Sequence, residues 1–245
     1  MLRVNIVTIF PEYFAAPLSL SIPAKAAAAG SVVYNVVNLR DFTHDRHRTV
    51  DDYPYGGGPG MVMKPEPFFE AVDALGAAAP IVLLSARGRE FTQADAVRFA
   101  AGSDLTLLAG HYKDVDQRVA DHLATEEMSL GRFVLSGGEP AALAIVDAVV
   151  RLLPGAMSDA DSFRTDSFWE GRGHSAPSYT RPEEYRGHRV PDVLLSGDHG
   201  AIARWREAER QGGREAEGQG GTEAERQGGR EAERLPGVVP PEGRD

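Results

Sequence analysis

Four short, mostly apolar and β-branched runs, Val4–Phe10, Val32–Val37, Ile81–Leu84 and Leu105–Ala109, set the strongest limit on how this chain folds. Their apolar residues fall at successive rather than alternate positions, so both faces of each strand must be covered. Helix candidates lie between them. Pro11–Ala29 is one, interrupted at Pro17 or Pro23; Glu66–Leu75 is another; Gln93–Ala101 follows Thr92 as N-cap, and Val115–Ala124 follows Asp114. Alternation of doubly covered strands with helices predicts an α/β fold with a mainly parallel sheet. The 245 residues fit one large domain or two unequal ones.

Two glycine-rich loops interrupt this pattern, Pro54–Met61 and Ser129–Glu139, and neither has the spacing of a nucleotide-phosphate motif. Glycine removes the side chain and opens positive φ, so such loops either turn a corner or let backbone approach a ligand. The second lies between a short strand-like run and Ala141–Leu153, which is apolar on nearly all sides. That stretch is predicted to be a buried helix, entered through Glu139-Pro140 and ended by Pro154-Gly155. Leu130–Leu135 offers backbone amides and carbonyls suited to a flat base such as adenine. Gly110-His111-Tyr112, just past the strand Leu105–Ala109, falls where ligands collect in open parallel sheets.

Gly155–Pro177 has no periodicity and carries Asp159, Asp161, Asp166 and Glu170, the pattern of a functional lid or a linker. Tyr179–Trp205 is predicted to be ordered, with a short helix from near Gly200. Beyond it run near-copies of an eight-residue unit, REAERQGG, at Arg206–Gly213, Arg214–Gly221, Thr222–Gly229 and Arg230–Gly237. Eight residues match no helical repeat, the glycine pairs interrupt helix, and there is little apolar surface to bury, so this tail is expected to be disordered.

Net charge is −10, of which the segment from Arg206 onward supplies 7 arginines against 10 carboxylates. A generally basic nucleic-acid coat is therefore excluded, and any such partner must meet a local patch such as Arg40, Arg46, His47 and Arg48. In the run Arg40–Arg48, alternating basic residues suit phosphate better than a metal, with a solvated loop as the plain alternative. Tyr55, His111, Tyr112 and Trp169 are candidates for stacking on a base, or ordinary packing residues. The chain has no cysteine, which removes disulfides and thiolate metal sites. Pro11 and Glu12 cut the first apolar run short, and Asp147 and Arg151 interrupt the longest one. No secretory signal and no membrane span are expected, and the expected location is the cytoplasm. Asp147 and Arg151 share a helix face, which reads either as a mutually neutralising pair or as the placement of a functional arginine near the acidic lid.

Several of these motifs occur together in a known order. The run from Arg40 to Asp52 followed by Pro54–Met61, then Val115–Val119, Val134–Glu139, Tyr179–Pro182 and Val193–Gly197, resembles the bacterial tRNA (guanine-N1)-methyltransferases of the TrmD family. The likeness spans about residues 1 to 205. It implies a SPOUT-type fold with a deep trefoil knot that holds S-adenosylmethionine, in a homodimer that methylates N1 of guanine 37, just 3′ of the tRNA anticodon.

On matching positions the resemblance places the cofactor against Leu84, Ser85, Gly110, Tyr112, Leu130, Gly131, Arg132, Phe133, Val134 and Leu135, with Gly137 and Gly138 shaping the turn. It makes Asp166 the general base for the guanine N1 proton and Arg151 the group that stabilises charge on the guanine oxygen, with no metal. It divides the chain into a methyltransferase domain (1–155), a lid or linker (156–178), a shortened tRNA-contacting part (179–205) and the repeat tail (206–245). Lys113 stands where the family has an acid, and Leu84–Gly88 and Gly171–Pro177 also depart from the family pattern. The alternatives are a catalytically weak homologue that binds RNA or cofactor, and a methyltransferase with another RNA target.

Overall fold

The computed structural model describes residues 1–157 and 162–210. They fall into two compact units, Met1–Phe163 and the part from Arg164 onward. The first is built on β1 (Leu2–Thr8), β2 (Val32–Asn38), β5 (Ile81–Glu90), β6 (Asp104–Ala109) and β8 (Glu126–Ser129), in the order β2-β1-β6-β5-β8. Every neighbouring pair is parallel. A smaller sheet joins β3 (Asp51–Asp52), β4 (Val62–Met63) and β7 (Asp114–Val115).

The unbroken apolar runs have their cause in two cores, one on each face. Leu2, Val4 and Ile6 of β1, Val82 and Leu84 of β5, and Leu105 and Leu107 of β6 point into one. It is closed by α1 (Glu12–Leu18), α2 (Ser21–Ala28), α4 (Gln93–Ala100) and α6 (Glu139–Val150) through Phe14, Ala26, Phe99 and Ile145. The intervening Val7, Ile81, Leu83 and Leu108 enter the other, closed by Phe68 and Val72 of α3 (Pro65–Leu75) and Val119 of α5 (Gln117–His122). Strands with a helical layer on each side need apolar residues at every position. The polar exceptions pair with one another: Asn35 Nδ2 donates to Asn5 Oδ1 at 2.9 Å, and Asn5 Nδ2 to Thr106 Oγ1 at 3.0 Å.

Element boundaries differ from expectation where side chains decide the cap. The first helical stretch breaks between its prolines, at Ser19–Leu20, with Pro17 inside α1 and Pro23 in the first turn of α2. The helix expected from Val115 begins at Gln117, because the Asp116 side chain caps the Arg118 amide at 2.9 Å and Asp114–Val115 pairs with β4. Strand β5 continues past Leu84 to Glu90 through an irregularity opposite Met128. Strand β8, with Glu126 and Glu127, lies at the sheet edge, where one flank needs no apolar cover.

A 3-10 turn at Ser162–Thr165 spans the sequence boundary of the units, and the second unit holds a further 3-10 turn at Trp169–Gly171, a two-strand ribbon of β9 (Glu184–Tyr185) and β10 (His188–Arg189), α7 (Asp192–Leu195), and a helix over residues 199–210. That helix takes in the first five residues of the first octad, so the change of character expected after Trp205 is not a change of structure there. The remaining octads lie outside the described residues. Among the described residues no helix is long and apolar enough to cross a membrane.

Candidate active site

The irregular middle of β5, at Leu83–Arg87, and the carboxyl ends of β6 and β8 frame a cavity of about 280 Å³. Ligands in open parallel sheets are expected at this edge. Leu84, Ser85, Gly110, Tyr112, Leu130, Gly131, Phe133, Val134, Leu135, Gly137 and Gly138 all line it, so residues up to 54 positions apart meet at one place. Arg132 does not line it: its guanidinium is exposed and reaches towards Glu90, 3.9 Å away. Val134 is largely exposed, and Phe133 and Leu135 are about half exposed.

The loop from β8 to α6 folds back onto the end of β6. The Gly138 amide donates to the Gly110 carbonyl at 2.7 Å, and Gly137 forms an antiparallel bridge with His111. A Cβ at Gly138 would lie 2.8 Å from Ala109 Cα, so the close approach of the two backbones requires glycine there. Ser129 Oγ closes the start of the loop, accepting from the Gly131 amide at 3.1 Å and donating to the Gly131 carbonyl at 2.9 Å.

Beneath the loop, Glu139 is buried in the first turn of α6, where the helix dipole favours a carboxylate. Its Oε1 accepts from Thr8 Oγ1 at 2.8 Å, and its Oε2 lies 3.4 Å from His111 Nδ1. The His111 ring sits edge-on to Phe10 and Tyr112, with centroids 5.0 and 5.7 Å away. The other glycine loop reaches the same cavity through Lys113, whose amide donates to the Met61 carbonyl at 3.1 Å and whose stem packs over Gly60. Arg87 and Asp114 pair across the rim at 2.6 Å.

The basic run meets that rim at Tyr112, whose hydroxyl accepts from Arg40 at 3.3 Å. The acids of the run are used within it. Asp41 pairs with Arg48, and Asp45 accepts from the Thr49 amide, the Thr49 hydroxyl and the His47 amide. These bonds, that of the Thr49 amide foremost, hold the Asp45 carboxyl below the usual range.

Arg151 is the half-buried C-cap residue of α6. One turn earlier, Asp147 acts on Tyr34 of β2: burial first, and that negative charge second, push the phenol up to about 12. Asp166 belongs to the second unit, just after the Ser162–Thr165 turn. It lines a separate cavity of about 650 Å³ with Tyr179, Arg181, Arg206 and Arg210. Phe168 and Glu170, close behind it, adopt left-handed backbone at φ 64° and 51°. Asp159 and Asp161 fall outside the described residues. Sequence reasoning missed Arg206 and Arg210 because the repeat disguised them; their spacing of four, shared by one helix face, was the available signal.

The sequence model described as tRNA (Guanine-1)-methyltransferase TrmD matches residues 2–217. The chain belongs to the TrmD family. Three relatives, each named tRNA (guanine-N(1)-)-methyltransferase, show the extent of the likeness. That of Synechococcus sp. (strain JA-3-3Ab) is 52% identical over 207 residues, 84% of this chain and 81% of the relative. That of Gloeobacter violaceus is 51% identical over 212 residues, 85% and 93% of the two chains. That of Dictyoglomus turgidum is 52% identical over 210 residues, 85% of each. Lys113 lines the first cavity, as do Arg87 and Asp114, and its ammonium lies near Gly58.

Proposed function

We propose that this chain transfers a methyl group to N1 of the guanine at position 37 of tRNA. The observation that carries the reading is the TrmD match along residues 2–217 together with the convergence of the second glycine loop and Gly110–Asp114 on one cavity. The donor set there fits S-adenosylmethionine. The loop from Leu130 to Leu135, which lines the cavity at all but Arg132, suits an adenine edge read by main chain, Gly110 and Gly138 add no side chain beside it, and Phe133 and Leu135 offer apolar surface. When bound, that cofactor supplies a methyl group already activated on a sulfonium, which leaves positioning as the main task of the protein.

In this reading Asp166 takes the N1 proton, which leaves N1 an electron pair to receive the methyl group, and the electrons of the broken carbon–sulfur bond leave with the demethylated thioether. Arg151 stabilises negative charge gathering on the guanine carbonyl oxygen. Arg40, with Arg46 and His47 beside it, meets the RNA backbone. The trefoil knot and the homodimer belong to the same proposal, and the exposed Phe133, Val134 and Leu135 supply apolar surface for a second subunit. Work in the cytoplasm follows from a tRNA substrate. Lys113 favours one second reading, a weakly active homologue that binds RNA.

One experiment separates the two. Asp166→Ala should keep its affinity for S-adenosylmethionine and lose about 10²–10⁴-fold in single-turnover methyl transfer to unmodified tRNA, the usual contribution of a positioned base. Asp159→Ala and Asp161→Ala serve as controls and should stay near the parent rate. Equal losses in all three would leave general loop charge, not one base, as the cause. No transfer by the parent chain would favour the second reading.

A further inference from the structure

The second cavity joins two features that the sequence leaves apart, the expected base and the first copy of the octad. Arg206 and Arg210 open and close the run Arg-Glu-Ala-Glu-Arg of that copy and sit one turn apart on the helix over residues 199–210. Both line the cavity with Asp166, Tyr179 and Arg181. The Arg210 side chain is only 22% exposed, although nearly every other residue of the octad within the described helix is open to solvent. Three arginines, Arg181, Arg206 and Arg210, therefore line one space with the two carboxylates Asp166 and Glu183, and Arg210 Nη1 lies 3.9 Å from Glu207 Oε2 on its own helix. A volume of about 650 Å³ is in the range that takes a nucleotide-sized ligand.

A guanidinium is planar, stays charged at all working pH and matches two phosphate oxygens at once. We propose that Arg206 and Arg210, together with Arg181, form a phosphate seat that grips the RNA backbone and holds the target strand against Asp166. The first octad is then a working part of the second unit, and Arg206 and Arg210 are positioning residues. The inference rests on the methyl-transfer reading above. It adds the element that holds the strand, and it assigns different work to the first repeat than to the later ones.

The test uses the full chain and unmodified tRNA transcript, with Kd measured at several salt concentrations. R206A/R210A should raise Kd about tenfold and flatten the dependence of log K on log salt by about 1 to 2, as expected for lost phosphate contacts. Calorimetric affinity for S-adenosylmethionine should stay at the parent value, since that cofactor is read at the other cavity. R206K/R210K, which keeps both charges, should restore the slope and most of the affinity, whereas R230A/R234A in the fourth octad should change neither. The seat is overturned by a parent-like Kd and slope in R206A/R210A, by an equal loss in R230A/R234A, or by a folded R206K/R210K with the slope of the alanine pair. Failure of the underlying reading has a different signature: the parent chain would bind tRNA with the same arginine dependence yet transfer no methyl group.

Discussion

At the scale of single residues, the second glycine loop is fixed by what stands beside it. Gly138 has ordinary helical backbone, at φ −78°, so its need for glycine is steric: a Cβ there meets Ala109 Cα at 2.8 Å and the Gly110 nitrogen at 3.1 Å. Neither neighbour is the mobile end of a side chain. Gly131 differs, with φ +149° and the Phe133 ring as its near neighbour at 3.0 Å. Gly138→Ala and Gly131→Val should each weaken S-adenosylmethionine binding by about 1–3 kcal/mol, the cost of overpacking a tight site. Isothermal calorimetry on folded variants checks this, and unchanged affinity in both would remove the loop from the cofactor site. The sequence shows that these glycines lie in a turn, but the reasons for them come from residues up to 29 positions away, Ala109, Gly110 and His111 among them. The pairing of His111 with buried Glu139 was hidden for the same reason, since nothing in the local pattern of either residue points to the other.

At the scale of elements, α4 shows how capping and charge lock one helix to the sheet. The Asp95 side chain accepts from the Thr92 amide at 3.0 Å and the Thr92 hydroxyl at 2.8 Å, and Arg89 of β5 grips it at both oxygens, 2.8 and 2.6 Å away. Arg98 bridges Asp95 to Glu126 of β8. The Arg89 guanidinium, ahead of the Thr92 and Arg98 contacts, holds the Asp95 carboxyl well below the usual range. Burial pushes Glu126 up, but Arg98 and Arg89 together outweigh it and hold that carboxyl low as well. A folded-state value below the unfolded one, about 4 for a carboxyl, stabilises fully above that pH and is lost as pH falls towards the folded value. Asp95→Asn should therefore cost about 2 kcal/mol at neutral pH, and the melting-temperature gap to the parent, about 4–8 °C, should narrow below about pH 4. A gap that stays constant from pH 7 to pH 3 would count against the ionic origin. Thr92 as N-cap was legible, because a cap is a local signal. Strand β8 was much less so: Glu126 is held by Arg89 and Arg98, 28 or more positions away, while Glu127 Oε1 is buried without a hydrogen-bond partner among the described residues, and a short edge strand carries little periodicity.

At the scale of the whole molecule, the sequence reads well wherever burial dictates composition. Three of the four runs became the inner strands β1, β5 and β6, apolar on both faces apart from a few buried polar positions such as Asn5 and Thr106, whereas the fourth, expected to be covered on both faces, became the β2 edge and leaves Val33 41% exposed. It reads poorly where function is assembled from distant pieces, as in the cavity that unites Asp166 with Arg206 and Arg210. Repetition also misleads, since four similar octads invite one interpretation while the first has its own surroundings. The chain beyond residue 213 holds 5 arginines against 8 carboxylates and few apolar residues, a composition with little to bury and no net attraction for RNA. Two truncations follow from this contrast. A chain ending after Gly213 should keep the parent melting temperature, S-adenosylmethionine affinity and tRNA Kd within about threefold, because what it loses is net acidic. A chain ending after Trp205 should keep the cofactor affinity, which is set at the cavity of the first unit, but bind tRNA about tenfold more weakly through loss of Arg206 and Arg210. Fluorescence titration of both against tRNA at fixed salt decides the matter: equal affinities would place no work on the first octad, and a large loss already at Gly213 would make the later repeats the RNA-binding element.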